Sequence, residues 1–215
     1  MIVNEPIIGI IAILIGYLLG SINSAYIVTR LVKGEDIRNL GGGNAGGRNV
    51  FRSVGFWAAV PVVIWDLAKG AGSVAIAYWL LDVPVYEVNI YVLLTGTAAI
   101  AGHMWSIYLK FTGGNGLAAA IGALAMIIPW SLLIVFGIMG VLSLLTKNPV
   151  LSLNIALLSL PVSSWFLENE WLLVFFSITI IVIMILNFVP TALAALEAAG
   201  GMKHLVRQLL RKTAR

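Results

Sequence analysis

Cysteine is absent from this 215-residue chain. That excludes disulfides, thiolate metal sites and a cysteine nucleophile. Charge is nearly as scarce: Asp, Glu, Lys and Arg together make up 10% of the residues. A soluble domain carries roughly 25%, so this chain cannot build a water-facing shell of that kind. The composition likewise excludes a disordered chain, a coiled coil and a nucleic-acid module. Apolar surface stands in place of charge, with 60% of residues in the AVILMFWYC set and a mean hydropathy of +1.02. The class that remains is an all-α, polytopic helical membrane protein. At about 20 residues per span, the chain has room for at most about eight or nine helices.

Apolar runs cover residues 6–29, 56–81, 90–109, 117–130, 131–145, 150–167 and 171–189. They predict seven spans in one integral membrane domain over 1–215. The fourth and fifth runs are short for a full crossing and nearly continuous through Pro129, Trp130 and Ser131. If that pair is re-entrant, the count falls to five or six.

The position of the charges supports the odd count. A seven-span alternation sends Arg30, Lys33, Arg38, Arg48, Arg52, Lys110, Lys147, Lys203, Arg207, Arg211, Lys212 and Arg215 to one side, twelve of the thirteen basic residues. The other side receives Glu5, Asp82, Glu87, Glu168 and Glu170 and no basic residue. The positive-inside rule then puts the N-terminus outside and the C-terminus in the cytoplasm, as expected in an inner (plasma) membrane. The net charge of +4 is therefore an average over a basic face and an acidic one. The tail at 200–215 predicts a basic amphipathic helix lying on anionic lipid headgroups. Trp57, Trp79, Trp105, Trp130, Trp165 and Trp171 fall near span ends, where an amphipathic ring is favoured.

Some polar residues need a reason beyond topology. The segment 30–52 has five glycines within the seven residues 41–47, flanked by Arg38, Arg48 and Arg52. Glycines free backbone N–H groups to converge on an anion. A flexible loop obeying the positive-inside rule has the same composition, and composition does not separate the two. Gly41-x-Gly43-x-x-Gly46 also matches a dinucleotide fingerprint, but a membrane helix precedes it and no βαβ unit surrounds it. A second glycine cluster, Gly113, Gly114 and Gly116, opens directly into the fourth span, and His103 lies just before it. N–H groups at a helix start suit an anion. Asp66 and Lys69 lie three apart within the second span. Such a pair shares a helix face and offsets the cost of each charge in hydrocarbon. Near the end of the first span, Gly20 and Ser24 are spaced four apart, as helix-packing residues often are.

Four of these stretches together resemble the bacterial integral-membrane acyl-phosphate:glycerol-3-phosphate acyltransferases of the PlsY type. They are Gly20-Ser21-Ile22-Asn23-Ser24-Ala25-Tyr26, the loop from Asp36 to Arg52, Asp66-Leu67-Ala68-Lys69-Gly70, and Gly102-His103 with Phe111-Thr112-Gly113-Gly114-Asn115-Gly116. Order, spacing and topology agree over roughly residues 10–122; the rest agrees mainly in hydropathy. The resemblance implies a seven-helix fold with its motifs on the cytoplasmic side. It implies transfer of a fatty acyl group from acyl phosphate to glycerol 3-phosphate, giving lysophosphatidic acid. No metal, dissociable cofactor or nucleic-acid partner is implied. Carried onto this chain, Asn44, Asn49 and Arg52 order the first loop and hold substrate phosphate, joined by Arg48, Gly43 and Gly46. Lys69, His103 and the Gly113–Gly114 turn complete the polar pocket, with His103 and Lys69 the catalytic candidates.

The chain departs from the family's pattern at several points. Gly42 stands in place of a serine, Arg48 of a threonine and Asn115 of a lysine. Asn23 and Ser106 replace prolines, and the tail's histidine and asparagine positions fall on Met202 and Leu205. Arg48 adds a cation where Asn115 removes one, which predicts an active enzyme with a rewired pocket. The alternative is an inactive paralogue binding a phosphorylated lipid or a partner protein. A transporter ranks below both, since the chain has no internal repeat.

Overall fold

The computed structural model describes residues 4–198; the predicted amphipathic tail lies outside them. The chain runs through α1 (Glu5–Ser21), α2 (Ser24–Lys33), α3 (Gly47–Ser53), α4 (Phe56–Leu81) and α5 (Ile90–Met104). It continues through α6 (Leu117–Ile127), α7 (Pro129–Thr146), α8 (Pro149–Ala156), α9 (Leu160–Glu168) and α10 (Trp171–Ala198). Among the described residues, six stretches are long and apolar enough to cross a membrane: Glu5–Lys33, Phe56–Leu81, Ile90–Leu109, Pro129–Thr146, Leu151–Glu168 and Trp171–Pro190.

The fourth of the seven predicted spans corresponds to the short α6, which is not among these six. Its 11 residues rise only about 16 Å, roughly half of a hydrocarbon core. It starts at the second glycine cluster and ends beside the α4–α5 connection, where Tyr86 lines one cavity with Ala125, Pro129 and Trp130. The break between α6 and α7 falls at Ile128, with Pro129 in the first turn of α7, where its missing N–H costs nothing.

The first span departs from its predicted shape. Ile22 and Asn23 are extended, with ψ of 106° and 100°, so α1 and α2 are separate helices. Asn23 Oδ1 accepts the Tyr26 N–H at 2.8 Å and caps α2. Helix α2 continues to Lys33, so the polar segment expected to loop from Arg30 begins as helix. Nor is the rest of that segment a flexible loop. Ile37, Ala45 and Val50 are buried against Ala25, Ala59 and Val62, in a small core that anchors it to α2 and α4. The stretch 102–116, expected as a cytoplasmic motif loop, begins inside a helix, since residues 102–104 belong to the last turn of α5. The last helix also outruns its expected end at Val189, passing through Pro190 to Ala198.

Small residues let the central helices approach at backbone distance. A Cβ on Gly122 would lie 2.0 Å from Leu67 O, and one on Gly70 would lie 2.1 Å from Ala119 O, so α4 and α6 touch main chain to main chain. Gly20 does the same against Ala99 of α5. Because Gly70 adjoins Lys69, the α4–α6 contact also sets the depth of that lysine. Gly122→Ala should cost about 1–3 kcal/mol through overpacking. Gly72→Ala, where nothing lies within 4 Å, should leave the thermal midpoint unchanged or raise it. Thermal unfolding of both variants in one detergent checks the pair; equal midpoints would remove the close-contact account.

Candidate active site

The α1–α2 break is the centre of the site because it frees backbone groups that a continuous helix would consume. Ser21 O accepts from Ser106 Oγ at 2.6 Å, and Ile22 O accepts from Lys69 Nζ at 3.0 Å. Asn23 Nδ2 donates to Ala45 O at 3.1 Å, reaching the first glycine segment. Ser24 Oγ donates to Asp66 Oδ1 at 3.0 Å. Four consecutive residues therefore tie α1 and α2 to three other parts of the chain. The predicted packing role holds for Gly20 against α5, and the Ser24 hydroxyl bonds across to α4.

Asp66 is 2% exposed and Lys69 5%. Lys69 Nζ lies 2.9 Å from Asp66 Oδ1, the ion pair that the three-residue spacing predicts. His103, 3% exposed on α5, turns Nδ1 toward the same oxygen at 3.4 Å and has no closer partner there. A buried carboxylate needs such donors, since hydrocarbon supplies none. With Nδ1 carrying the proton that faces Asp66, Nε2 is left as an acceptor. A Cβ placed on Gly114 would be 2.2 Å from Nε2, so the Gly113–Gly114 turn passes directly over that nitrogen. The turn is held by its own bonds: Gly114 N–H to His103 O at 3.0 Å, and Ala45 N–H to Gly113 O at 3.3 Å.

The first glycine segment differs from an open anion nest. Gly42 N–H donates to Asn49 Oδ1, Gly43 N–H to Leu40 O, and Ala45 N–H to Gly113 O. Three of the N–H groups expected to face an anion are thus turned into the protein. Asn49 is buried, and its amide donates to Ile37 O, Leu40 O and Asn44 O, leaving no free donor for a phosphate. Of its two expected tasks, Asn49 performs the ordering of the loop. Gly41 adopts φ 55° under Asn49 and Ser53, where any side chain would collide with both. Asn44 Nδ2 hydrogen-bonds Asn115 Oδ1, joining the two glycine clusters.

Arg38 is likewise a strut. It pairs with Asp36 at 2.6 Å, donates to Leu109 O and Thr112 Oγ1, and lies over the Tyr26 ring. The hydrogen bond to Arg38 holds the Asp36 carboxyl below its ordinary range, and the same bond raises the guanidinium. Arg48 and Arg52, four apart on α3, are exposed and bond to nothing among the described residues. Within the first glycine segment they are the basic residues without a partner among those described. Gly43 and Gly46 flank Asn44 at the segment's surface. Met202 and Leu205 lie outside the described residues.

Sequence reasoning missed three members of this arrangement. Ser106 and Asn23 appeared only as departures from a family pattern, although each makes a hydrogen bond that proline cannot. Asn187 of α10 donates to Gly114 O at 3.2 Å. Its signal was visible, as the one amide or charged residue among residues 171–190.

An all-helical bundle that crosses the membrane, with a buried Asp–Lys–His cluster beneath glycine turns at one end, defines an integral membrane protein with a buried polar cluster. Comparison with known proteins makes the assignment specific. Residues 10–193 match the family model described as Glycerol-3-phosphate acyltransferase, and the chain belongs to that family, the PlsY type. It is 43% identical over 200 residues to glycerol-3-phosphate acyltransferase 1 of Dehalococcoides mccartyi, covering 91% of this chain and 94% of that protein. It is 37% identical over 179 residues to the glycerol-3-phosphate acyltransferase of Endomicrobium trichonymphae, covering 82% and 87% respectively. Among solved structures it resembles PlsY (YgiH), an integral membrane glycerol 3-phosphate acyltransferase, in its glycerol 3-phosphate form. The TM-score is 0.76 at 27% identity, over 88% of this chain and 92% of that one.

Proposed function

We propose that this protein transfers a fatty acyl group from an acyl phosphate to the 1-hydroxyl of glycerol 3-phosphate, releasing lysophosphatidic acid and inorganic phosphate. The observation that carries the reading is the His103–Asp66 pair beneath the Gly113–Gly114 turn, with unpaired Arg48 and Arg52 on the adjoining α3. In this mechanism the arginines hold substrate phosphate. His103 Nε2 takes the hydroxyl proton as the oxygen attacks the acyl carbonyl carbon. The bond from that carbon to the bridging phosphate oxygen breaks, and phosphate leaves with its electron pair and then accepts the proton. Asp66 keeps the imidazole oriented, while Lys69 and Ser24 keep Asp66 in place. Cysteine is absent and the first loop carries Gly42, which favours direct transfer over an acyl-enzyme.

The positive-inside rule supports placing the glycine-turn end in the cytoplasm, with the N-terminus outside, in the plasma membrane. Arg48 supplies the cation that Asn115 does not, since the Asn115 side chain is engaged with Asn44. Purified protein given acyl phosphate and glycerol 3-phosphate should form lysophosphatidic acid. Arg48→Ala should lower kcat/KM for glycerol 3-phosphate roughly tenfold or more, the worth of one charge-assisted contact. No product from the wild type would overturn the reading, and an unimpaired Arg48→Ala would remove Arg48 from the pocket.

A further inference from the structure

Residues 171–190 form an apolar stretch, yet they hold one amide, Asn187. A polar side chain at that depth is costly unless it has a partner. Its partner is Gly114 O at 3.2 Å, on the turn that covers His103 Nε2. No peptide bond among the described residues is cis. In a trans peptide the carbonyl and the N–H point in opposite directions. Fixing Gly114 O toward α10 therefore directs the N–H of the same peptide, that of Asn115, away from α10. That N–H has no partner among the described residues. The remaining bonds of the turn leave this one orientation to α10: Ala45 holds Gly113 O, and His103 O holds Gly114 N–H.

We infer that Asn187 is a positioning residue that orients the Gly114–Asn115 peptide so that the Asn115 N–H is presented to the phosphate of glycerol 3-phosphate. The inference rests on the acyl-transfer reading for its substrate. A backbone donor to phosphate acts in ground state and transition state alike, so its loss raises KM and leaves kcat nearly unchanged.

Full-length wild type, Asn187→Leu and Asn187→Gln, all in lipid nanodiscs, provide the test. Leucine suits an apolar helix, and glutamine keeps the amide donor. Asn187→Leu should raise both KM and Kd for glycerol 3-phosphate about tenfold. The KM for acyl phosphate, kcat and the thermal midpoint should hold. Asn187→Gln should recover most of the loss. Asn187→Leu with KM and Kd within twofold of wild type would overturn the inference. So would a fall in kcat, in affinity for both substrates and in thermal midpoint together, which marks a merely structural role. If the wild type binds glycerol 3-phosphate without turning it over, the acyl-transfer reading fails and the Kd comparison still decides for or against Asn187. If the wild type does not bind it, both fall.

Discussion

His103→Gln is expected to lower kcat by about 10²–10⁴, the range for removing a general base. The thermal midpoint should move little, because glutamine approximates the imidazole in size and keeps a donor for Asp66. The argument is geometric. His103 is buried, one ring nitrogen faces the Asp66 carboxylate at 3.4 Å, and the other faces the Gly113–Gly114 turn. This is the arrangement in which a carboxylate selects the tautomer and orientation of a base. Release of inorganic phosphate from acyl phosphate, dependent on glycerol 3-phosphate, gives the rate. A His103→Gln enzyme retaining more than a tenth of wild-type kcat would leave catalysis to positioning and charge alone.

Lys69→Met is expected to destabilise the protein by about 3–5 kcal/mol, the cost of leaving one partner of a buried ion pair uncompensated. Lys69 and Asp66 lie 2.9 Å apart and are both almost fully buried. Lys69 also satisfies Ile22 O, so its loss leaves that freed carbonyl without a donor at the α1–α2 break. The double variant Lys69→Met with Asp66→Leu should recover much of the stability, since a well-packed apolar pair replaces a buried ion pair at little cost. It should stay inactive, because His103 loses the carboxylate that orients it. Denaturant or thermal unfolding of wild type, both single variants and the double variant closes the cycle. Strict additivity would show that the pair contributes nothing as a pair.

Local chemistry made some of the site legible in advance. Asp66 and Lys69 could be paired from their spacing because an α-helix places residues three apart on one face. Gly113, Gly114 and His103 could be flagged because each is an unusual residue type at the end of an apolar run. Asn49 shows the limit of that approach. Its residue type suits both a phosphate ligand and a loop brace, and only its burial beneath three carbonyls distinguishes them. Arg38 is a parallel case, since a flanking cation reads as an anion ligand until Asp36 and Thr112 are seen to occupy it.

The sequence alone determined the membrane class and the apolar, charge-poor runs that form its helices. These follow from hydropathy and charge summed along the chain, and a bilayer acts on those sums directly. The tertiary structure decided which groups meet. Asn23 reaches Ala45, Ser106 reaches Ser21, and Asn187 reaches Gly114, across sequence separations of 22, 85 and 73 residues. No periodicity reports contacts at that range. They arise because glycines at 20, 70 and 122 let helices approach at backbone distance, and because a two-residue break in the first span frees the carbonyls on which the site is assembled.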